Sequence, residues 1–184
     1  MIIKKAVKTL LNCIEPKTAG REGILETPDR VSKMFHYIYG GYRQDPKDVF
    51  KVFDGGTYDQ IVLLKDIEMY SMCEHHMLPF FGRAHIGYIP DKKVIGISKL
   101  ARLLDIFSRR LQIQERIGEQ VTGALMQYLK PKGAACIIEA SHLCMRMRGV
   151  EKQNSTMVTS SLKGVFLDKK NAAAQAELLR LIGK

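Results

Sequence analysis

The sequence predicts an α+β fold with a largely antiparallel sheet, and three observations support this prediction. Segments with strand-like alternation fall in hairpin-like pairs around a pair of helical segments, and strands do not alternate with helices. The chain has 184 residues, which is room for one domain of ordinary size. Hydrophobic residues make up 46% of it and charged residues 26%, the composition of a folded globular chain.

The N-terminal part of the chain is predicted to be helical. A first helix ends before Pro16, and its apolar stripe consists of Leu10, Leu11 and Ile14. Thr27 and Pro28 are typical of a helix start, with a capping hydroxyl followed by proline at the first helical position. The helix that they begin is expected to end at the glycine pair 40–41.

Extended segments follow after residue 56. Alternating apolar residues predict a first strand from Ile61 to Ser71 and a second from Gly82 to Ile89. Residues 134–147, rich in small and β-branched side chains, predict a third strand, and residues 154–162 predict a fourth. We expect these strands to form the sheet.

Three helices are predicted among these strands. Ser98 is expected to cap a helix that runs to about Phe107. A second helix is predicted over residues 114–129, with one apolar face and a stop at Pro131. Residues 172–182 predict a closing helix.

No internal repeat and no long linker divides the chain. We therefore expect residues 1–56 to form a helical region packed on the core, and residues 57–184 to form the main domain. No apolar run approaches the about 20 residues that a membrane-spanning helix needs. The start of the chain also lacks the pattern of a secretory signal, so we expect a cytoplasmic protein without membrane contact.

The charge balance is strongly basic. Lysine and arginine number 29 against 19 acidic residues, which gives a net charge of +10. Nucleic acid, an anionic membrane, a polyanionic small substrate and a merely solvated surface are all consistent with that charge. The nucleic-acid interpretation is disfavoured, because no CxxC pair is present and the aromatic residues lie mostly on apolar faces.

The segment 71–79 combines residue types that bind metals. Cys73 and His76 are three positions apart, and zinc takes thiolate and imidazole ligands. On a straight strand their side chains would point to opposite faces, so a shared ion requires a turn, which Pro79 favours. The alternative is a buried cysteine beside two surface histidines, His75 and His76.

A second group of reactive side chains lies on the third predicted strand. Because strand side chains alternate, one face of it would carry His142, Cys144, Arg146 and Arg148. Cys144 with Cys73 and His76 would make a Cys₂His set, which catalytic zinc sites use with one position left for water. His75 and His142 would then remain for acid–base chemistry near neutral pH.

Charged residues also mark three predicted helix starts. Ser98, Lys99 and Arg102 lie where helix N–H groups favour anions, and Lys33 lies similarly on the earlier helix. Glu115 at the third start is able to accept two hydrogen bonds from a guanine. For each residue the alternative is an ordinary solvated side chain or a partner of the helix dipole.

Three further candidates are left outside the site. His85 alternates with apolar residues on a strand and is only a fallback ligand. Cys13 and Cys136 lie in apolar surroundings and are expected in the core.

Six motifs in order resemble the GTP cyclohydrolase I family, and the resemblance runs from about Gly20 to Phe166. The motifs are Glu-Gly-Ile-Leu-Glu-Thr-Pro-Asp-Arg-Val at 22–31, Cys-Glu-His-His at 73–76, Gly-Ile-Ser-Lys at 96–99, Gln-Glu-Arg at 114–116, His-Leu-Cys-Met at 142–145 and Arg-Gly-Val at 148–150. The resemblance implies the tunnelling fold, a toroidal homodecamer, and active sites between subunits. It also implies the conversion of GTP and water to 7,8-dihydroneopterin triphosphate and formate, at the start of folate or pterin biosynthesis.

The resemblance assigns the catalytic residues. Those that match the zinc (Zn²⁺) ligands are Cys73, His76 and Cys144. Zinc would activate the water that attacks C8 of the guanine. His142 matches the residue that protonates the imidazole ring of GTP. His75 matches a second acid–base histidine near the ribose, and Ser98 matches a residue that acts in the later sugar rearrangement.

The resemblance also assigns the substrate contacts. Gln114 and Glu115 match the positions that recognise guanine. Those that match triphosphate contacts are Lys99, Arg102, Arg148 and, from a neighbouring subunit, Lys33. A tetra-anionic substrate would partly explain the positive net charge of the chain. The alternative function is a non-catalytic, zinc-stabilised basic binding module of the same fold.

Overall fold

The structure, a computed structural model, describes residues 2–17, 20–168 and 171–183. The chain divides into two units, one up to Gly40 and one from Gly41 onward. The boundary expected between residues 56 and 57 stays a prediction. No helix in these ranges is both long enough and apolar enough to cross a membrane.

The first unit consists of helices. They are α1 (Ile2–Ile14), α2 (Glu22–Leu25) and α3 (Thr27–Ile38). α1 packs against α3, and an ion pair between Lys4 and Asp29 joins the two. The predicted helices are confirmed, but the predicted capping role of Thr27 is wrong. Because α2 leads directly into α3, Glu26 takes the capping position and Thr27 is already helical.

The second unit holds the sheet and the remaining helices. Its strands are β1 (Val52–Asp54), β2 (Val62–Cys73), β3 (Pro79–Ile89), β4 (Lys93–Ile95), β5 (Leu111–Gln112), β6 (Gly133–His142) and β7 (Met157–Gly164). Its helices are α4 (Ile97–Ser108), α5 (Gln114–Ala124), α6 (Leu143–Arg146) and α7 (Ala172–Ile182). Short 3₁₀ turns cover Gly40–Arg43 and Pro46–Val49, and a π turn, Leu125–Leu129, extends α5.

Five strands form one sheet in the order β5-β2-β3-β6-β7, and β1 pairs with β4 separately. All pairs are antiparallel except the short parallel pair of β2 with β5. The predicted α+β class with a largely antiparallel sheet is therefore confirmed. The three strands β1, β4 and β5 were not predicted, because each has only two or three residues.

Alternation along the strands divides the apolar side chains between two layers. On β3, Phe80, Ala84, Ile86 and Tyr88 are fully buried. They belong to the main core, with the apolar faces of α4 and α5. The opposite face of the sheet contributes Ala135 and Ile137 to a second cluster with α7. The helical pair thus covers one face, as expected for the tunnelling fold.

Two predicted boundaries are wrong in ways that affect the site. β6 ends at His142 rather than at 147, because β3 begins at Pro79 and offers no ladder partner beyond the pair Phe80–His142. Ser98 does not cap α4. Gly96 takes that position with extended backbone, and its carbonyl accepts a hydrogen bond from the N–H of Lys99 at 2.8 Å.

The two cysteines expected in the core differ. Cys136 is fully buried on β6, and burial raises the pKa of its thiol to about 12. Cys13 is exposed near the end of α1, so its predicted place in the core is wrong.

Candidate metal centre

The turn between β2 and β3 brings two potential ligands together. The carbonyl of Cys73 accepts a hydrogen bond from the N–H of Met77 at 2.8 Å, and the Cys73 N–H donates to the Leu78 carbonyl at 2.9 Å. Met77 adopts a left-handed backbone with φ of 52°, which non-glycine residues rarely do. The predicted turn is confirmed, and it leaves Cys73 Sγ and His76 Nδ1 only 3.8 Å apart.

Cys144 joins them from a distant part of the sequence. β6 pairs with β3 up to Phe80–His142, and the chain then turns into α6, whose second residue is Cys144. The donor atoms of Cys73, His76 and Cys144 all lie within 4.8 Å of one another. This arrangement differs from the predicted strand face, because Cys144 lies on a helical turn.

The donor set fits zinc. A tetrahedral zinc ion with ordinary bond lengths separates a sulfur and a nitrogen ligand by about 3.5 Å, close to the Cys73–His76 distance above. Two thiols and one imidazole suit zinc far better than magnesium or calcium, which prefer oxygen. Burial, and then the neighbouring Cys73 sulfur, raise the pKa of the Cys144 thiol. A bound cation favours the thiolate instead.

His75 lies beside this cluster but not in it. Its Nδ1 is 3.9 Å from Cys73 Sγ, and its side chain is largely exposed. The fallback ligand His85 is elsewhere, buried on β3, where its Nδ1 accepts a hydrogen bond from the N–H of Asp66 at 3.2 Å. The turn therefore offers His76 as ligand and leaves His75 for another role.

A salt bridge that sequence reasoning missed anchors the turn to α5. Arg116 donates two hydrogen bonds to the carboxylate of Glu74, at 2.5 and 3.1 Å. These bonds hold the pKa of Glu74 below its ordinary value. The Glu74 N–H also donates to the Gln112 carbonyl at 3.0 Å. Glu74 lies in the Cys-Glu-His-His motif and Arg116 in the Gln-Glu-Arg motif, and this was the only indication in the sequence that the two residues matter.

His142 is held between a ring and an amide. Its imidazole stacks on Phe80, its ladder partner, with ring centres 4.5 Å apart and planes 5° apart. Its Nε2 lies 2.8 Å from Oε1 of Gln114. Burial lowers the pKa of His142, and the charge of Glu115 opposes that shift. The contact of Phe80 with His142 was not predicted, because it depends on the register in which β3 pairs with β6.

Glu115 lines a cavity of about 550 Å³ between α5 and the edge strand β7. Glu119, Thr159 and Ser161 also line it. Glu115 directly follows Gln114, whose Oε1 contacts His142, and its charge opposes the lowering of the His142 pKa. Gln114, Glu115, His142 and the three metal donors thus form one region of the chain.

The predicted triphosphate residues do not all come together. Arg148 lies at the metal cluster, with Nη1 3.1 Å from His76 Nε2. Lys99 and Arg102 line a different cavity of about 250 Å³, together with Arg43 and two aspartates. Ser98 is exposed in the first turn of α4, and Lys33 is exposed on α3 in the other unit.

The chain matches one known family over nearly its whole length. The family model described as GTP cyclohydrolase I matches residues 3–183. A protein of Wolinella succinogenes named GTP cyclohydrolase 1 is 57% identical over 86% of this chain and 84% of its own. One of Campylobacter lari with the same name is 49% identical over 97% of this chain and 93% of its own. Among solved structures, an apo archaeosine synthase QueF-Like has a TM-score of 0.46 at 15% identity, over 57% of this chain and 94% of that one.

Proposed function

The chain belongs to the GTP cyclohydrolase I family, and we propose that the residues around Cys73, His76 and Cys144 carry its reaction. The reaction converts GTP and water to 7,8-dihydroneopterin triphosphate and formate. The observation that carries the proposal is the convergence of these three donor atoms within 4.8 Å, with Cys144 two residues from His142, which contacts Gln114. The alternative of a non-catalytic binding module is not favoured, because the matched relatives carry the enzyme's name.

The proposed metal is zinc, held by the three donors. When bound, zinc supplies Lewis-acid activation of the water that hydrolyses the purine ring. The chain's contribution is the geometry of the ligands. The backbone hydrogen bonds of the turn hold Cys73 and His76, and the pairing of β6 with β3 brings Cys144 to them.

His142 is proposed to transfer protons to and from the ring of GTP. Burial lowers its pKa, so at neutral pH it is largely neutral and able to accept a proton. Stacking on Phe80 restricts its ring to one plane. His75, exposed on the turn beside the metal donors, is proposed as the second acid–base group near the ribose.

Glu115 is proposed to bind the guanine base. A carboxylate accepts hydrogen bonds from N1–H and the exocyclic amine together, which adenine does not offer. Glu115 lines a cavity large enough for a base and directly follows Gln114, whose side chain contacts His142. Gln114, the preceding residue, is proposed to lie at the same guanine-binding part of the site.

The phosphate contacts support an active site shared between subunits. Arg148 lies beside His76, but Lys99 and Arg102 line a cavity that includes none of the metal donors. We therefore propose that Ser98, Lys99 and Arg102 of one subunit complete the site of another, with Lys33 also contributed across an interface. A homodecamer with sites between subunits is the proposed assembly.

The direct test is incubation of the purified, zinc-loaded protein with GTP. After oxidation, the pterin product is read by its fluorescence, and formate is measured in the same sample. Equal amounts of both products, lost with a chelator and regained with zinc, are expected. Zinc-replete protein of the proposed size that yields neither product would overturn the proposal. Mixing inactive Cys144→Ser and Lys99→Ala proteins tests the shared site, because hybrid assemblies are expected to regain activity.

A further inference from the structure

The side chain of Gln114 is almost completely used by the protein itself. Only 1% of the residue is exposed. Its Nε2 donates to the carbonyls of Ile138 and Met157 at 3.0 and 3.1 Å, and to Oγ1 of Thr159 at 3.1 Å. Backbone carbonyls only accept hydrogen bonds, so the amide nitrogen must face them. The orientation of the amide is thereby fixed.

The fixed amide determines which ring nitrogen of His142 carries hydrogen. Oε1 of Gln114 faces Nε2 of His142 at 2.8 Å, and an amide oxygen only accepts. Nε2 must therefore carry the hydrogen in this bond, which leaves the lone pair of the neutral ring on Nδ1. Stacking on Phe80 fixes the plane of the same ring.

We propose that Gln114 is a positioning residue that holds His142 in its Nε2–H form, so that Nδ1 is the nitrogen that exchanges a proton with GTP. The inference rests on the proposed function, and it gives the Gln114 side chain a role other than guanine binding. A proton that Nδ1 takes up leaves an imidazolium that still donates through Nε2. When Nδ1 returns the proton to a substrate nitrogen, the neutral Nε2–H ring is restored.

The kinetic test compares Gln114→Met with wild type and with Gln120→Met. Methionine keeps the length of the side chain but removes the acceptor for His142, together with the donor to Ile138, Met157 and Thr159. Gln120 lies on the same helix, and its Oε1 accepts a hydrogen bond from Gln112 rather than from His142, so it controls for the substitution. Gln114→Met is expected to retain zinc and to lower kcat roughly 10- to 100-fold, with KM for GTP within about twofold. An unchanged kcat with a raised KM would instead indicate a guanine contact and overturn the inference.

A second measurement reads the protonated nitrogen in the wild-type protein, and a variant serves only to assign the signal. Solid-state NMR of the wild-type holoenzyme with labelled histidine reports the protonated nitrogen of each ring, and the chain has five histidines. His142→Asn assigns the signal. We expect hydrogen on Nε2 in the neutral ring, and hydrogen on Nδ1 alone would refute the inference. Failure of the proposed function would appear differently, as wild-type protein without turnover.

Discussion

Replacing Gly82 with alanine is expected to push β3 and β6 apart close to the metal centre. Gly82 pairs with Ala140, and Phe80 pairs with His142 two positions along the same ladder. A Cβ added at Gly82 would lie 1.9 Å from the Glu139 carbonyl oxygen and 2.7 Å from the Ala140 Cα. Both are backbone atoms, which cannot rotate away. Restoring an ordinary contact of about 3.4 Å requires the strands to separate by roughly 1.5 Å.

The cost follows from that separation. Forcing an extra carbon into a packed region costs about 1–3 kcal/mol, and each weakened ladder hydrogen bond adds about 1 kcal/mol. A total of about 3 kcal/mol lowers Tm by roughly 6–12 °C for a chain of this size. Activity is expected to fall as well, because the displacement moves His142 away from Phe80, on which its ring stacks.

The assay is thermal unfolding followed by circular dichroism, with zinc content and turnover measured on the same samples. Gly123→Ala on α5 is the matched control, because its added Cβ would meet nothing within 4 Å. Alanine in that helix is expected to stabilise by about 0.5–1 kcal/mol. A Gly82→Ala protein that melts within about 2 °C of wild type would refute the reasoning, since it would show that the ladder absorbs the carbon without cost.

Other predictions concern the site and the cysteines. Cys144→Ser is expected to lower zinc content and turnover together, whereas His142→Ala is expected to keep its zinc and to lose about 10²–10⁴-fold in rate. Elemental analysis beside the fluorescence assay distinguishes the two variants. Loss of zinc from His142→Ala would contradict the proposed acid–base role of His142. Because burial lowers the pKa of His142 below 6.5, its contribution to stability is present above about pH 6.5 and is lost as the pH falls through the lowered pKa. His142→Asn should therefore lose less Tm than wild type between pH 7 and pH 5, and an equal loss would contradict this. Iodoacetamide at pH 8 is expected to label exposed Cys13 and to spare buried Cys136, whose pKa is about 12. The protein is labelled while folded, and mass spectrometry identifies the modified cysteine. Labelling of Cys136 before Cys13 would contradict the prediction.

Periodicity predicted the regular elements where packing follows the local pattern. The helix over 172–182 has the predicted bounds, and the helix from Gln114 continues to Leu129 with a π turn at its end. Both are amphipathic segments whose apolar side faces the sheet. Their ends are marked locally, by Gly183 in one case and by Pro131 in the other.

The end of β6 was not predictable from its own residues. Leu143 and Cys144 are as compatible with a strand as the residues before them. What ends the strand is the start of β3 at Pro79, because a ladder needs a partner. The predicted common face of His142 and Cys144 therefore fails, although both residues belong to the same region.

The residues of the site were predicted better than the contacts that hold them in place. The spacing of Cys73 and His76 required a turn, which the structure has. The third donor, Cys144, was suggested because it completes a Cys₂His set and was assigned by the resemblance, since nothing local indicates that it meets the other two. The contacts of Phe80 and Arg116 depend on long-range register and helix placement, and spacing along the sequence carries no information on either.

The pairing of Phe80 with His142 also limits how this chain can change length in evolution. A single residue inserted in β3 or β6 would shift everything beyond it by about 3.3 Å and turn alternate side chains to the opposite face. Cys144 would then no longer meet the turn, even if every reactive residue were retained. Related sequences are therefore expected to differ in length within the loops and to keep the span from Cys73 to Phe80, and that from Ala140 to Cys144, free of gaps.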